Sequence, residues 1–593
     1  MTSRRRALAG MAGAAWALST ARPSAAGSVA ETARALAGRM TVEQKVGQLF
    51  LIEVAGRDAH DVDEAAAALN RQRYGVATPA EVVRTFAPGG VIYFSARGDD
   101  NLGSPAQLAR LSQGLQEAST AVAGVPLIIS VDQEGGVVSR MPTPPATPQP
   151  GNMALGATWS TAQARRAYEI TAAELSACGI TADHAPVADV NVNPANPVIG
   201  IRSFGSEPRA VAAFVRAAVQ GLHRGGVAAT AKHFPGHGDT DTDSHLGLPR
   251  ITHSRAQLDA IDLPPFRAAI AAGVDMIMTA HISVPALDPT LAPSTMSRTI
   301  VTGLLREELG FDGLIVTDAL DMRGASAVYP PDKAAVTALA AGVDMLVLSP
   351  DLPRAHAAVL SAVRSGRISA ARLDASVIRI LSHKIRRGLG HGASDPARAE
   401  RVVGRTAFLA AADAITGRGT TLVKNDDDVL PLCPGTRSVL VTGSDDAAVR
   451  SLAAAFGERG HRATPLATGA APDRTVTEEA VRAAASADLV VVASGLAPAD
   501  GAQGGTAHVA LVRALLASGR PVVVIGVRNP YDINRFPEAP LYLATYGSGP
   551  RQLDHAVQVV LGEHAPHGRL PVAVPAAGDP AEVLYPVGHG LRF

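Results

Sequence analysis

Cysteine is almost absent: Cys178 and Cys433 are the only two in 593 residues. Two such distant residues make no disulfide framework, so two free buried thiols are expected, with a single bridge after export as the alternative. Aromatic residues are scarce at 4 %, too few to mark an extended stacking platform. Net charge is missing as well, since 54 Lys and Arg offset 54 Asp and Glu. Nothing therefore points to nucleic acid or an anionic membrane as partner. Long apolar runs are lacking, and the long uncharged stretch Met141–Ala164 is rich in Pro, Thr and Gly, so no membrane span is expected. No glycine fingerprint for a dinucleotide and no His-Glu-x-x-His helix motif occurs, and no cofactor is expected.

What is present is a globular composition, 47 % hydrophobic with 18 % charged residues, in a chain long enough for two or more domains. The N-terminus runs Ser3-Arg4-Arg5-Arg6-Ala7-Leu8, then an Ala/Gly/Leu stretch to Ser19 and small residues at Ser24-Ala25-Ala26. That order suggests an export signal over residues 1–26 with a twin-arginine flavour and a cut near Ala26. An Ala-rich terminus without a signal is the plainer alternative.

From about residue 31 to 390, short apolar runs alternate with amphipathic helical stretches. The runs are Val46–Val54, Gly90–Phe94, Pro126–Val131, Ile180–Ala182, Val227–Ala231, Asp275–Ala280, Gly313–Thr317 and Asp344–Leu348. The helical patterns include Ala162–Cys178, Pro208–Arg224, Ser254–Ala272 and Ser297–Leu309. Strongly apolar strands alternating with helices argue for a parallel sheet covered on both faces. Eight runs fit an α/β fold of the (β/α)₈ TIM-type barrel, with its site at the C-terminal ends of the strands. A doubly wound open sheet is the alternative.

Charged residues gather after those strands. Asp132, Glu134 and Arg140 follow the third run; Asp183, Asp189 and Arg202 follow the fourth. Lys232 and His233 follow the fifth, His281 the sixth, and Asp318 the seventh. Asp318 stands where a buried strand opens onto the site and is the candidate nucleophile, while Asp321 is expected to face away. A helix-capping role for Asp318 is the structural alternative.

The densest cluster is Lys232–His245, with three His, three Asp and a Lys in fourteen residues. It opens where the fifth strand is expected to end, and Pro235, Gly236 and Gly238 make the rest a loop. In extended chain residues i and i+2 share a side, so Asp243 and His245 can sit together. A carboxylate beside an imidazole orients the ring and favours its protonated form, which suits a general acid. A solvated polar loop and a metal site are the rival readings. The Asp239-x-Asp241-x-Asp243 spacing mimics the start of a calcium loop, but Ser244 replaces its glycine and Arg250 its closing glutamate. No metal is expected.

This stretch closely resembles the signature of glycoside hydrolase family 3, in its β-N-acetylglucosaminidase branch. That branch carries Lys-His-Phe-Pro-Gly-His-Gly-Asp-Thr-x-x-Asp-Ser-His, and every specified position is present here. The resemblance implies that His245 is the catalytic acid/base and Asp243 its partner. Leu314-Ile315-Val316-Thr317-Asp318-Ala319-Leu320-Asp321-Met322 resembles the family's Val-Thr-Asp-Ala-Leu-x-Met segment, which implies that Asp318 is the nucleophile. It also implies sugar binding by Asp132, Arg140, Arg202, Lys232 and His233. Charged groups bind clustered hydroxyls through strong oriented hydrogen bonds; each arginine taken alone reads equally as a surface or ion-pair residue. His281, Asp183, Asp189 and Glu134 are expected to support the site, and His237 and Asp239 to shape the loop.

After a linker at Gly388–Pro396 and a helical stretch at Ala397–Ile415, a second α/β layered-sheet domain is expected over residues 397–593. Its strand-like runs are Thr421–Val423, Ser438–Val441, Asp488–Ala493, Pro521–Val527 and Pro540–Ala544, with helices at Asp445–Phe456 and His508–Leu516. Thr420–Asn425 with Leu430-Pro431-Leu432, and Gly568-Arg569-Leu570-Pro571-Val572, resemble segments of the same family's second domain. The Gly495–Gly505 loop is either a cover for the site or purely structural.

The expected activity is that of a retaining exo-β-N-acetylglucosaminidase, acting on a carbohydrate from cell-wall or chitin-derived fragments through a glycosyl-aspartate. Phosphorolysis, or a β-glucosidase or β-xylosidase of the same family, uses the same residues. A sugar-binding protein without catalysis would lack Asp318, Asp243 or His245, and all three are present. No feature of the sequence bears on oligomeric state.

Overall fold

The structure is a computed structural model and describes residues 26–94, 98, 100–390, 394–496 and 501–593. The export-signal reading falls on residues up to 25, and the centre of the Gly495–Gly505 loop on 497–500; both lie outside the described residues.

Eight parallel strands form the first sheet: β1 Phe50–Ile52, β2 Gly90–Ile92, β3 Ile128–Val131, β4 Ala182–Asp183, β5 Ala228–Phe234, β6 Met276–Thr279, β7 Leu314–Thr317 and β8 Leu346–Val347. Their order runs without a break from β7 down to β1 and on to β8. A parallel bridge between Val316 and Met345 closes the ring, so this is a barrel and not the open sheet. The strand residues are buried throughout, as expected of strands covered inside by side chains and outside by helices.

Several boundaries differ from the expected ones. The run Val46–Val54 is a strand only from Phe50, because a capping box at Thr41 and Gln44 starts a helix over Val42–Gly47. The fifth strand continues through Phe234, so Lys232 and His233 lie within it instead of opening the loop. Tertiary pairing extends it: Val187 bridges Lys232, and Phe234 pairs with Thr279 of β6. Phe234 then packs edge-on against Phe266 at 5.1 Å. The helical patterns at Ser254–Ala272 and Ser297–Leu309 contain π-helical segments, Leu258–Asp262 and Thr299–Glu308. Ala397–Ile415 divides into two helices, Pro396–Val402 and Thr406–Gly419.

The second domain holds a six-stranded sheet of β9 Thr421–Asn425, β10 Ser438–Gly443, β11 Arg462–Ala467, β12 Leu489–Ser494, β13 Val522–Gly526 and β14 Leu541–Ala544. Its order is β11-β10-β12-β13-β14-β9, parallel except for β9. The edge strand β11 escapes sequence reading because most of its side chains are exposed and carry no apolar run. A hairpin of β15 Val574–Ala576 and β16 Asp579–Tyr585 follows.

The domains share a core. Met153, Ala154, Ala157 and Ile201 of the first domain pack into the apolar cluster of the second. The Gly568–Val572 segment docks at this seam: the Arg569 N–H donates to the Ala157 carbonyl at 2.9 Å, and its guanidinium lies 5.2 Å from the Trp159 ring. Cys178 is buried but Cys433 is exposed, and both are free, which corrects the expectation of two buried thiols. Among the described residues no helix is long and apolar enough to cross a membrane.

Candidate active site

A cavity of about 460 Å³ opens among the loops that leave the C-terminal ends of the barrel strands. Its floor is an ion cluster assembled from three separate parts of the chain. Lys232, on β5, sends Nζ to Asp132 Oδ1 and to Glu134 Oε1, each at 2.7 Å. Arg202, on the long loop after β4, grips the same Glu134 with both arms: Nε donates to Oε2 at 2.9 Å and Nη2 to Oε1 at 2.8 Å. Bidentate pairing fixes the guanidinium plane as well as its position. Burial alone would raise the Asp132 carboxyl, but Lys232, with Arg140, outweighs it and holds that group well below the usual range. Glu134 likewise would be raised by burial, and Arg202 with Lys232 brings it down to about 2. Both carboxyls are therefore anionic at neutral pH and can accept hydrogen bonds from hydroxyls.

Asp189, fully buried, organises the next layer. Its Oδ2 accepts from His233 Nδ1 at 2.8 Å, and its Oδ1 accepts the backbone N–H groups of His233 at 3.1 Å and His237 at 2.8 Å. Arg202 Nη2 reaches the other face of the same ring, His233 Nε2, at 3.4 Å. Beneath Asp132 sits His184, between Ser130 and Thr230, and burial lowers it to about 4, so it is neutral.

Asp318 leaves the end of β7 and lines the same cavity, and its Oδ1 accepts the Ala319 N–H at 2.7 Å. Burial pushes its carboxyl up, but His233, His281, that N–H and Lys232 together bring it below its ordinary value. An ionised carboxylate opening onto the cavity is suited to nucleophilic attack. At the mouth stands His245, whose Nδ1 meets Asp243 Oδ1 at 2.7 Å, while the same oxygen accepts the His245 N–H at 2.8 Å. The side chain of His245 is 56 % exposed.

Most of the chain matches two family models. Residues 41–383 match the glycosyl hydrolase family 3 N terminal domain, and residues 420–593 its C-terminal domain. The chain belongs to glycoside hydrolase family 3. Within that family it is 33 % identical, over 84 % of its length and 90 % of the relative's, to beta-hexosaminidase A of Pseudoalteromonas piscicida. It is 33 % identical to a beta-N-acetylglucosaminidase/beta-glucosidase of Cellulomonas fimi, over 76 % of this chain and 84 % of that one. A solved structure, a family 3 beta-N-acetylglucosaminidase from Paenibacillus sp. str. FPU-7, superposes with a TM-score of 0.80 at 36 % identity, covering 90 % of this chain and 99 % of that one. The family 3 architecture of N-terminal barrel and C-terminal α/β domain is the one described above.

Asp132, Arg140, Arg202, Lys232, His233, His245 and Asp318 all line the one cavity of this family 3 site. Asp243 does not line it and instead holds His245 from behind. Two expectations need correcting. Glu134 lines the cavity as well as bracing Lys232 and Arg202, and Asp321 lines it where it was expected to face away. The turn after Met322, where Gly324 donates its N–H to the Ser244 carbonyl at 3.0 Å, keeps the Asp321 segment against the site. His184 was missed, since a histidine in an apolar stretch gives no signal of its own. The C-terminal domain braces the Arg202 loop from outside: Asn191 Nδ2 donates to the Tyr531 hydroxyl at 3.0 Å, and the Ser206 N–H to the Pro571 carbonyl at 3.1 Å.

Proposed function

We propose that the chain is a retaining exo-β-N-acetylglucosaminidase that removes terminal N-acetylglucosamine through a covalent glycosyl-aspartate. The observation that carries this reading is that an ionised Asp318 and a carboxylate-held His245 line one cavity over a charged floor. Asp318 attacks the anomeric carbon while His245 protonates the departing glycosidic oxygen. Water then gives a proton to His245 and displaces Asp318, so two inversions restore the original configuration. Asp243 accepts from Nδ1, which leaves Nε2 of His245 for both proton transfers. Asp132 and Glu134 accept from ring hydroxyls, Lys232, Arg202 and Arg140 donate to ring oxygens, and His233 contacts the ring with its Nε2 edge. The acetamido preference is supported by the names of the relatives to which the chain is 33 % identical over the aligned residues.

Terminal sugars of cell-wall or chitin-derived fragments are the substrates this reading favours. Export through a signal over residues 1–26 fits such a target, and it is supported by the three consecutive arginines before a mildly apolar stretch. The test is hydrolysis of nitrophenyl β-N-acetylglucosaminide beside the β-glucoside, by wild type, Asp318→Ala and His245→Ala. Cleavage of the acetamido sugar with Asp318 essential is the expected result, and added phosphate then identifies the acceptor. A preference for the glucoside, or an active Asp318→Ala, would overturn it.

A further inference from the structure

The loop that carries His245 is not uniform along its length. Its stem, Gly236–Thr240, is packed onto the barrel. A side-chain carbon at Gly238 would lie 1.8 Å from the Val190 carbonyl oxygen, and one at Gly236, where φ is +136°, would lie 2.8 Å from Asp262 Cβ. Thr240 Oγ1 meets His237 Nδ1 at 2.7 Å, and Asn196 Nδ2 donates to the His237 carbonyl at 2.9 Å. In the tip beyond, Asp241, Thr242, His245 and Leu246 are exposed, while Ser244 is buried, with Oγ 3.0 Å from His237 Nε2 and its carbonyl accepting the Gly324 N–H at 3.0 Å.

One stem residue has no tie of this local kind. Asp239 meets, through Oδ2, Nε2 of His253 at 3.1 Å. The opposite nitrogen of that ring, Nδ1, meets Asp262 Oδ2 at 2.7 Å. Both ring nitrogens face carboxylates, and carboxylates only accept, so the ring carries both protons. Those two hydrogen bonds, to Asp239 and then to Asp262, outweigh burial and raise His253 to about 10. The second oxygen of Asp262 is buried with no partner, so His253 supplies that carboxyl's side-chain contact. None of the three lines the cavity.

We propose that His253 is a positioning residue for the acid/base loop, held between Asp239 of the stem and Asp262 of the helix behind it, so that His245 is presented at the right height over the sugar. The inference rests on the reading of His245 as acid/base. A tie between loop stem and barrel matters only when His245 must meet a proton partner. It therefore acts on steps that need acid or base help and on no others.

The test uses the full chain, an activated dinitrophenyl β-N-acetylglucosaminide and the unactivated β-1,4-linked disaccharide of N-acetylglucosamine. Asp239→Asn keeps the buried His253–Asp262 pair and loosens the stem alone; His253→Ala cuts both ties and risks the fold. For both variants, kcat/KM on the activated substrate is expected to stay within about twofold of wild type, while kcat/KM on the disaccharide falls roughly tenfold. In a His245→Ala background neither variant lowers disaccharide turnover further, because the function it serves is gone. An equal fall on both substrates, or an undiminished fall added to that of His245→Ala, overturns the inference. So does an unchanged disaccharide rate in Asp239→Asn. If His245→Ala itself treats both substrates alike, the acid/base reading falls and this inference with it. If His245→Ala discriminates and the His253 and Asp239 variants do not, this inference alone falls.

Discussion

Lys232 and His245 belong to one segment of chain, yet the fold treats its two ends in opposite ways. The Lys232 side chain is 3 % exposed, with two carboxylates on its ammonium; that of His245 is 56 % exposed, with one carboxylate on its ring. A buried charge is tolerated only when it is matched, so the floor is fixed by the cost of any other arrangement. The exposed pair at the mouth adds little to stability, as surface ion pairs do. The difference follows from the two tasks. Hydroxyls of a sugar ring have fixed directions and reward a rigid array. Proton transfer has two successive partners, the leaving oxygen and the incoming water, and needs a group both can reach.

Substitutions can break this contrast. Asp318→Ala is expected to have the largest effect, lowering kcat roughly 10⁴-fold on the nitrophenyl substrate, as removal of a nucleophile does. Glu134→Ala comes next. It leaves Lys232 and Arg202 short of a buried counter-charge and costs about 3–5 kcal/mol, measured by urea unfolding. A loss below about 1 kcal/mol would place the floor with ordinary surface pairs. Because Glu134 titrates lower in the fold than its ordinary value of 4.5, its contribution is full above that value and lost as pH falls toward about 2. Acid unfolding of Glu134→Gln should lack that dependence.

His245→Ala separates the two regions from the other side. Turnover of the unactivated disaccharide should fall about 10²-fold, while stability stays within about 0.5 kcal/mol of wild type, as for an exposed side chain. His253 provides a pH test of opposite sign. Its value is raised to about 10, so the stability it confers is complete below pH 6.5 and is lost as pH rises through 10. Thermal melts of wild type across that range should show a decline that Asp239→Asn diminishes. The smallest effect is expected at Leu246, next to His245 and 73 % exposed. Leu246→Ser should change stability by no more than about 0.5 kcal/mol, and a larger loss would mean that the Leu246 side chain packs against the protein in solution.

Much of this was legible along the chain, for identifiable reasons. Six of the eight barrel strands lie within an apolar run, and β4 and β5 begin in one, because a parallel strand covered on both faces tolerates few polar residues. Asp132, Lys232, His233 and Asp318 stand out because they break such runs at one end. Boundaries were less legible. Nothing local says that β5 runs on through Lys232 and His233, since that extension is made by Val187 and Thr279 on neighbouring strands. The edge strand β11 has no apolar pattern to read, and the π-helical turns leave no mark on helical periodicity.

The sequence by itself determined the barrel's strand and helix pattern, the family, and the residue types that gather at the strand ends, because periodicity and local spacing are properties of the chain alone. Only the tertiary structure decided which charges meet. That Glu134 serves both Lys232 and Arg202, and that Asp189 collects the His233 and His237 groups, are contacts between distant segments, and the bridging of Asp239 and Asp262 by His253 depends on how the loop folds back on the helix that follows it. Their partners are chosen by burial, where an unmatched charge is costly, and no spacing along the chain encodes that choice.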